Sequence, residues 1–203
     1  MKRYIYLVRH GETEYGTEKR YLGHIDCKIS NYGKHQAEYL NSIFAKNKIV
    51  IDSVFSSDLA RCKDTVNIAF SERKVTFLEQ LREINMGEWD GLTFEEVKNQ
   101  YAEDYKKRGE NIADFAPKDG ESFSQCQKRA VTVFKHIIKS TEGNIVICSH
   151  CGFIRTLLCD ILNKDLADMF EIKQSYGCIN IISVDGCNIF VEGINLDGAS
   201  IEV

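Results

Sequence analysis

The sequence has very few of the residues that separate folded units. Its 203 residues contain one proline, Pro117, and they include no tract rich in glycine, serine and proline and no internal repeat. Linkers between domains usually have such a composition. We therefore expect residues 1–203 to form a single domain, which is long enough to bury a full hydrophobic core.

Long apolar runs and a large excess of one charge are also missing. No apolar run approaches the roughly 20 residues that span a bilayer, and Arg9 and His10 interrupt the N-terminal apolar stretch, which argues against a secretory signal. The formal net charge is −4, which gives no electrostatic surface for nucleic acid. We expect a cytoplasmic protein that binds neither nucleic acid nor membranes. The composition agrees equally with a monomer and a homodimer.

Cysteine, in contrast, is plentiful. The eight cysteines do not indicate disulfides, because the chain shows no secretory signal and is long enough to build its own core. We expect reduced thiols that pack as small apolar groups. The run from Cys148 to Cys151 includes His150 and is compatible with zinc, but no second paired cluster accompanies it. No metal site is therefore predicted.

Strands and helices are predicted to alternate along the chain. Apolar runs rich in β-forming residues predict strands over 4–8, 52–56, 75–77, 144–148, 179–184 and 188–194. Apolar periodicity and capping residues predict helices after Ser30, from an N-cap at Ser57 or Asp58 to about Phe70, and over 94–107, 123–140 and 153–162. Asp185-Gly186 indicates a hairpin between the last two strands. This alternation predicts an α/β fold with helices on both faces of the sheet.

Two histidines directly follow predicted strands. His10 follows the strand at 4–8, and His150 follows the strand at 144–148. In α/β sheets, ligands bind at the carboxyl ends of the strands. Gly11 leaves space beside His10, and Arg9 carries a charged fork that matches phosphate oxygens. These residues predict a site for a small anionic ligand.

Two further segments add groups with suitable chemistry. Arg61 lies one turn into a predicted helix, whose N-terminus favours anions. The loop at 81–91 carries three acids, Glu83, Glu88 and Asp90, and its apolar residues would desolvate one carboxyl, as a general acid requires. The residue pattern alone does not choose among the three acids.

Four ordered segments resemble the motifs of the histidine phosphatase (phosphoglycerate mutase-like) family. They are Leu7-Val8-Arg9-His10-Gly11-Glu12-Thr13, Ser56-Ser57-Asp58-Leu59-Ala60-Arg61, Leu81-Arg82-Glu83-Ile84 and Ser149-His150-Cys151-Gly152. Weaker matches are Tyr21-Leu22-Gly23, the segment 30–37 and Gly120-Glu121-Ser122, so the similarity covers about residues 4 to 162. The resemblance implies a three-layer α/β sandwich with a mostly parallel central sheet, and a small specificity cap at about 86–120.

The resemblance also implies a role for each matched residue. His10 would be the nucleophile that becomes a phosphohistidine, and Glu83 would protonate the leaving alcohol and then activate water. Arg9, Arg61 and His150 would hold the oxygens of the transferring phosphoryl group, so that no metal or cofactor is needed to neutralise its charge. The candidate substrate contacts are Thr17, Leu22, Gly23, Cys151 and Gly152.

The sequence departs from the family pattern near the first motif. Many relatives have asparagine at the position of Gly16, where it helps to bind phosphate; here a backbone amide, Thr17 or water would take its place. Relatives often have a small residue at the position of Cys151, and we hypothesise that this thiol makes the enzyme sensitive to oxidation. His24 lies in a loop near the first motif and is a further candidate for contact with substrate.

Hydrolysis is favoured over mutase activity. The cofactor-dependent mutases of the family have a longer insertion after the acid-bearing motif, and this chain lacks it. Its length and its 86–91 loop are most similar to α-ribazole phosphatases of cobalamin biosynthesis, which predicts α-ribazole 5′-phosphate as the substrate. A broad-specificity sugar phosphatase, a phosphoserine phosphatase and, less favoured, a phosphoglycerate mutase are the alternatives. A binder without turnover is least favoured, because His10 and Glu83 are both present.

Overall fold

A mixed sheet of six strands forms the centre of the structure, a computed structural model in which residues 2–197 are described. The strands are β1 (Arg3–Arg9), β2 (Ser53–Ser56), β3 (Val75–Phe77), β4 (Ile145–Ser149), β5 (Ile179–Asp185) and β6 (Asn188–Leu196). Their order is β3-β2-β4-β1-β5-β6. The first four are parallel, and β5 and β6 are antiparallel to their neighbours. The predicted α/β fold with a mostly parallel sheet is confirmed.

Helices cover both faces of this sheet. They are α1 (Asn31–Lys46), α2 (Ala60–Ala69), α3 (Phe94–Gln100), α4 (Ala102–Glu110), α5 (Phe123–Ser140) and α6 (Cys151–Ile161), with short 3-10 helices at Glu79–Leu81, Gly87–Trp89 and Leu166–Glu171. The helix predicted over 94–107 is two helices, α3 and α4, which are separated at Tyr101. Within residues 2–197, no helix combines the length and the apolar character of a membrane span.

Most of the predicted helix starts are confirmed. The Ser30 side chain accepts a hydrogen bond from the amide of Gly33 at the start of α1. Thr93 and Ser122 both form complete capping boxes, with Glu96 and Gln125 respectively as the third residue of each helix. These side chains satisfy amides that a helix N-terminus leaves free.

The predicted cap of α2 is wrong. The N-cap is Leu59, which makes no side-chain capping bond, and neither Ser57 nor Asp58 caps the helix. The amide of Ala60 in the first turn donates to Oδ1 of Asp26 at 2.7 Å. Ser57 Oγ lies 2.8 Å from Nε2 of His150 instead. The Asp58 carboxylate accepts two hydrogen bonds from the Arg82 guanidinium, at 2.7 and 2.5 Å. Both side chains prefer tertiary partners over the local amides.

Alternate residues of the central strands enter two separate cores. Ile5 and Leu7 of β1 belong to a cluster with residues of α5 and α6. Tyr6 and Val8 belong to a cluster on the opposite face with residues of α1 and α2. Every residue of β4 is buried. The sheet is therefore the middle of three layers, and only the ends of its central strands are open to a ligand.

Candidate active site

The ends of β1 and β4 bring His10 and His150 together. The two strands are parallel neighbours, with Arg9 opposite Ser149, and the amide of His10 donates to the carbonyl of Ser149 at 3.1 Å. The two imidazole rings are 5.1 Å apart between centroids. Both side chains are buried, with exposed fractions of 4% and 0%.

His10 is held as a neutral ring with one free nitrogen. Its Nδ1 lies 2.7 Å from the carbonyl oxygen of Gly11. A carbonyl only accepts hydrogen bonds, so Nδ1 carries the proton and Nε2 keeps its lone pair. Burial, with the charges of Arg61 and Arg9, lowers the pKa of His10 well below its ordinary value of 6.5. At neutral pH, Nε2 is therefore a nucleophile.

Arg61 is a buried cation without a carboxylate beside it. Its exposed fraction is 1%, and its Nε donates to Nδ1 of His150 at 3.1 Å. The carbonyls of Gly23 and Ile25 accept from its two Nη atoms at 2.7 and 2.9 Å. None of the ion pairs formed among residues 2–197 includes Arg61. Burying an unpaired charge is unfavourable, and a bound anion would offset that cost.

His150 is oriented by the same arginine. Because its Nδ1 accepts from Arg61, its ring proton is on Nε2, which donates to Ser57 Oγ at 2.8 Å. Burial and the nearby charge of Arg61 lower the pKa of His150 well below 6.5. An anion that replaced Ser57 as the acceptor would receive the same N–H.

Arg9 provides the second guanidinium. Its carbon Cζ lies 3.8 Å from the centroid of the Tyr176 ring, and one Nη donates to the carbonyl of Gln174 at 2.6 Å. The Nε of Arg9 is buried and has no hydrogen-bond partner among residues 2–197. No ion pair within that part of the chain includes Arg9 either. Two unpaired guanidiniums thus flank His10.

The Glu83 carboxylate lies at the N-terminus of α6. Its Oε1 accepts from the amides of Ile84 and Phe153, each at 2.9 Å, and its Oε2 accepts from the amide of Gly152 at 3.0 Å. Free amides at a helix N-terminus favour negative charge. A Cβ atom at position 152 would lie 2.6 Å from Oε1, so only glycine allows this approach. Glu83 and His10 line the same cavity.

The other two acids of the loop at 81–91 have different partners. Glu88 pairs with Lys118 at the surface. The Asp90 carboxylate accepts from the backbone amides of residues 23–25. Neither of them lines the cavity that contains His10. Of the three acids, Glu83 is therefore the one whose side chain lies beside His10 in the cavity lining.

The cavity above these groups has a volume of about 250 Å³. Its floor consists of Arg9, His10, Arg61 and Glu83. The apolar and aromatic side chains of its walls are Tyr21, Leu22, Ile84, Met86, Phe94, Phe123, Phe170 and Tyr176. Three further arginines, Arg20, Arg108 and Arg155, also line it. The cavity therefore combines charged groups beside His10 with walls that are aromatic and apolar but also carry three arginines.

Comparison with known proteins assigns the family. The model of the histidine phosphatase superfamily (branch 1) matches residues 5–197. The chain belongs to this superfamily.

Two curated relatives and one solved structure illustrate the range of histidine phosphatases that this chain resembles. The adenosylcobalamin/alpha-ribazole phosphatase of Escherichia coli is 25% identical over 187 residues, which cover 89% of this chain and 90% of the relative. Phosphoserine phosphatase 1 of Hydrogenobacter thermophilus is 30% identical over 178 residues, which cover 86% and 81%. The crystal structure of the alpha-ribazole phosphatase from Shigella flexneri superposes with a TM-score of 0.89, covers 98% of this chain and 100% of that one, and shares 23% identity. The phosphoglycerate mutase-like fold is thereby confirmed.

The expected substrate contacts of this histidine phosphatase fall into two groups. Leu22, Cys151 and Gly152 line the cavity. Gly23 does not line it, and its carbonyl accepts a hydrogen bond from Arg61. Thr17 lies exposed in a turn, away from the cavity lining.

The turn at Gly16 explains why glycine can replace asparagine there. Gly16 has φ of +54°, in the left-handed region that glycine and asparagine tolerate best. A Cβ atom at this position would meet nothing within 4 Å. The backbone of the turn is therefore compatible with either residue.

The surroundings of His24 and Cys151 do not favour the roles that the sequence suggested for them, contact with substrate and sensitivity to oxidation. His24 does not line the cavity, and its Nε2 lies 2.9 Å from the carbonyl oxygen of Glu83. Burial raises the pKa of the Cys151 thiol, although the charge of Arg9 acts in the opposite direction. A raised pKa does not favour the reactive thiolate that the oxidation hypothesis needs.

In the described part of the chain, no group of three or more His, Cys, Asp or Glu side chains is arranged to hold a metal.

Sequence reasoning missed Gln174 and Tyr176, which hold Arg9. They lie in the segment before β5, far along the chain from the first motif. The sequence itself offers one signal, an aromatic residue directly before Gly177. In the structure, this glycine has φ of +69°. That signal indicates a turn and does not reveal which arginine the ring would contact.

Proposed function

We propose that this histidine phosphatase hydrolyses small phosphomonoesters through a phosphohistidine on Nε2 of His10, without a metal ion. The observation that supports the proposal best is the state of His10. Its neutral ring presents Nε2 between two guanidiniums that lack carboxylate partners within residues 2–197, and Glu83 lies in the same cavity.

In the first step, Nε2 of His10 attacks phosphorus while the bond from phosphorus to the ester oxygen breaks. Arg9, Arg61 and His150 bind the three non-bridging oxygens, whose charge must be neutralised in the transition state. The electron pair of the broken bond goes to the leaving oxygen, which takes a proton from Glu83; the step therefore starts from the protonated form of this carboxyl group. Oε2 is the better position for that proton, because one amide donates to it whereas two donate to Oε1.

In the second step, water attacks phosphorus and the bond from Nε2 to phosphorus breaks. Glu83, now ionised, takes the proton from this water, so that the acid of the first step is the base of the second. Throughout, Nδ1–H of His10 donates to the Gly11 carbonyl, which stabilises positive charge on the phosphorylated ring. Inorganic phosphate leaves, and both side chains return to their starting states.

For the substrate we propose α-ribazole 5′-phosphate, which would place the enzyme in cobalamin biosynthesis. The cavity wall supports this choice, because Tyr21, Phe94, Phe123 and Phe170 offer aromatic surface for a flat base. Phe94 belongs to the segment 86–120, which we propose as the specificity cap. Relatives named adenosylcobalamin/alpha-ribazole phosphatases favour the same substrate.

An anionic substrate such as phosphoserine is the second candidate, and two arginines of the wall favour it. Arg108 and Arg155 line the cavity and form no ion pair among residues 2–197. Either could bind a carboxylate on the alcohol part of the substrate. A relative named phosphoserine phosphatase 1 is compatible with this alternative. Sugar phosphates remain a third class, and mutase activity is the least favoured.

A substrate panel in excess EDTA tests the specificity and the metal independence together. It contains α-ribazole 5′-phosphate, phosphoserine, phosphoethanolamine, sugar phosphates and phosphoglycerates. Phosphoethanolamine is the analogue of phosphoserine that lacks the carboxylate. We expect the highest kcat/KM for α-ribazole 5′-phosphate. Preference for phosphoserine over phosphoethanolamine would favour the second candidate. Activity that EDTA abolished and Mg²⁺ restored would contradict the charge neutralisation by arginine.

The covalent step is tested by His10→Ala. This variant should release no phosphate from any member of the panel, because no other group presents a free ring nitrogen to phosphorus. Wild-type enzyme quenched during turnover should carry an acid-labile phosphoryl group on residue 10. Undiminished turnover by the variant would exclude the mechanism.

A further inference from the structure

The Asp90 carboxylate binds three consecutive amides of the loop that follows Leu22. Its Oδ1 accepts from Gly23 N at 2.7 Å, and its Oδ2 accepts from His24 N and Ile25 N at 2.6 and 2.8 Å. No ion pair formed within residues 2–197 includes Asp90. Backbone dipoles, rather than a cation, therefore stabilise its charge.

The same loop holds Arg61 from its other side. The peptide unit between Gly23 and His24 gives its N–H to Asp90 and its carbonyl to Arg61, at 2.6 and 2.7 Å. The unit between Leu22 and Gly23 repeats this arrangement, with a longer distance of 3.4 Å from its carbonyl oxygen to Nη2 of Arg61. Since the N–H and C=O of a trans peptide point in opposite directions, the carboxylate and the guanidinium lie on opposite sides of both units.

Asp90 thus acts on Arg61 through two peptide units. A carboxylate at the N–H end of a peptide fixes its orientation and polarises its carbonyl, because linked hydrogen bonds strengthen one another. The polarised carbonyls face a buried guanidinium whose other acceptors are Nδ1 of His150, the carbonyl of Ile25 and Sγ of Cys27. The orientation of Arg61 therefore depends on a residue outside the cavity.

We propose that Asp90 is a positioning residue for phosphoryl transfer, which aligns Arg61, and through it His150, with the ligand above His10. The inference depends on the proposed function in one respect, namely that Arg61 holds the transferring phosphoryl group. Asp90 itself does not touch the substrate.

The variant Asp90→Asn is expected to fold. Two backbone hydrogen bonds, from Tyr21 N to the Leu92 carbonyl and from Gly91 N to the Tyr21 carbonyl, keep the two segments together, each at 2.8 Å. Asparagine has one acceptor oxygen where aspartate has two, and its amino group would face backbone donors. At least one of the three amides at 23–25 loses its partner, so the loop and Arg61 shift.

A double-mutant cycle tests the proposal. It measures kcat/KM for p-nitrophenyl phosphate and the affinity for inorganic phosphate in wild type, Asp90→Asn, Arg61→Met and the double variant. Asp90→Asn should lower kcat/KM by about 10- to 100-fold, the range expected when a binding group is displaced by about 1 Å, and should weaken phosphate binding. In the Arg61→Met background, the same change should alter both quantities less than about twofold, because no guanidinium remains to be positioned.

Glu88→Gln is the matched control. Its carboxylate lies in the same segment and pairs with Lys118 at the surface, so the substitution should leave both quantities unchanged. If Asp90→Asn does not fold, Asp90→Glu takes its place in the cycle, since it keeps the charge and moves it by one methylene group.

Two results would overturn the proposal. The first is an equal fall in kcat/KM when Asp90→Asn is made in wild type and in Arg61→Met, which would show that Asp90 acts independently of Arg61. The second is an unchanged kcat/KM in the single variant Asp90→Asn. Full turnover by His10→Ala or by Arg61→Met would refute the proposed function itself. The two kinds of failure are therefore distinguishable.

Discussion

At the scale of single residues, the site is defined by two arginine charges that form no ion pair within residues 2–197. Arg61 is buried against carbonyls and His150, and Arg9 against the Tyr176 ring and the Gln174 carbonyl. A buried cation that is satisfied in this way keeps its positive field directed at the cavity. Burial, together with this field, lowers the pKa of His10 and favours its neutral form.

The low pKa of His10 predicts an unusual pH profile. An ordinary histidine would lose half of its neutral form near pH 6.5. Burial and the two arginines lower the pKa of His10, so the neutral nucleophile persists to more acidic pH. We expect kcat/KM for p-nitrophenyl phosphate to stay level from pH 7.5 to about 6. A half-loss near pH 6.5 that followed His10 would contradict this account.

The residue types of the site could be predicted from the sequence, but several contacts could not. Short motifs placed His10, Arg61 and His150 at strand ends or helix starts, and parallel pairing then brought them together. The partners of Arg9 are 165 residues or more away along the chain, and no local pattern connects them. Without the family resemblance, the residue pattern leaves Glu83 and Asp90 equal, and only the position of α6, whose N-terminal amides bind Glu83, separates them.

At the scale of elements, local signals predicted most of the boundaries. Capping boxes at Thr93 and Ser122 marked the starts of α3 and α5 because their hydrogen bonds are local. The break between α3 and α4 was not predicted; it lies at Tyr101, whose backbone leaves the helical region with φ of −125° and ψ of 43°. The 3-10 helix at Leu166–Glu171 was also missed, because it is too short to show a periodic pattern.

Gly33 packs α1 against the backbone of the first motif, and Gly109 in α4 supplies a control for the same substitution. A Cβ atom at Gly33 would lie 2.2 Å from the carbonyl oxygen of Glu12, whereas one at Gly109 in α4 would meet nothing within 4 Å. Gly109→Ala should stabilise the protein by about 0.5–1 kcal/mol, the usual gain from removing glycine in a helix. Gly33→Ala should do the opposite and also lower kcat, because the backbone after His10 must move.

Urea unfolding and steady-state kinetics of the two variants measure these effects. Stabilisation by both alanine substitutions would show that α1 can move away from the first motif without cost. A loss of stability at Gly33 without a change in kcat would separate the packing of α1 from the position of His10.

At the scale of the whole molecule, the site is built at the expense of stability in acid. His10 and His150 are both buried, and both have pKa values well below 6.5. Below pH 6.5, the unfolded chain binds protons on these histidines that the native protein does not bind. Stability is therefore greatest above that pH and falls as the pH drops through 6.5 toward the native pKa values, with a limiting slope of about 1.4 kcal/mol per pH unit for each histidine.

Unfolding free energies at pH 7.5, 6.5 and 5.5 test this linkage. Wild type should lose more stability between pH 6.5 and 5.5 than His10→Ala, which retains only one of the two buried imidazoles. His136 is exposed, so His136→Ala should keep the wild-type dependence. Identical pH dependence in wild type and His10→Ala would show that His10 does not stay neutral in the native state.

The position of β1 and β4 in the middle of the sheet has a consequence for hydrogen exchange. Their amides are covered by helices on both faces and paired with a strand on each side. Such amides exchange with solvent only when the whole molecule unfolds, whereas loops and peripheral helices exchange through local openings. His10 and His150 directly follow these strands, so their backbone should be among the most slowly exchanging parts of the protein.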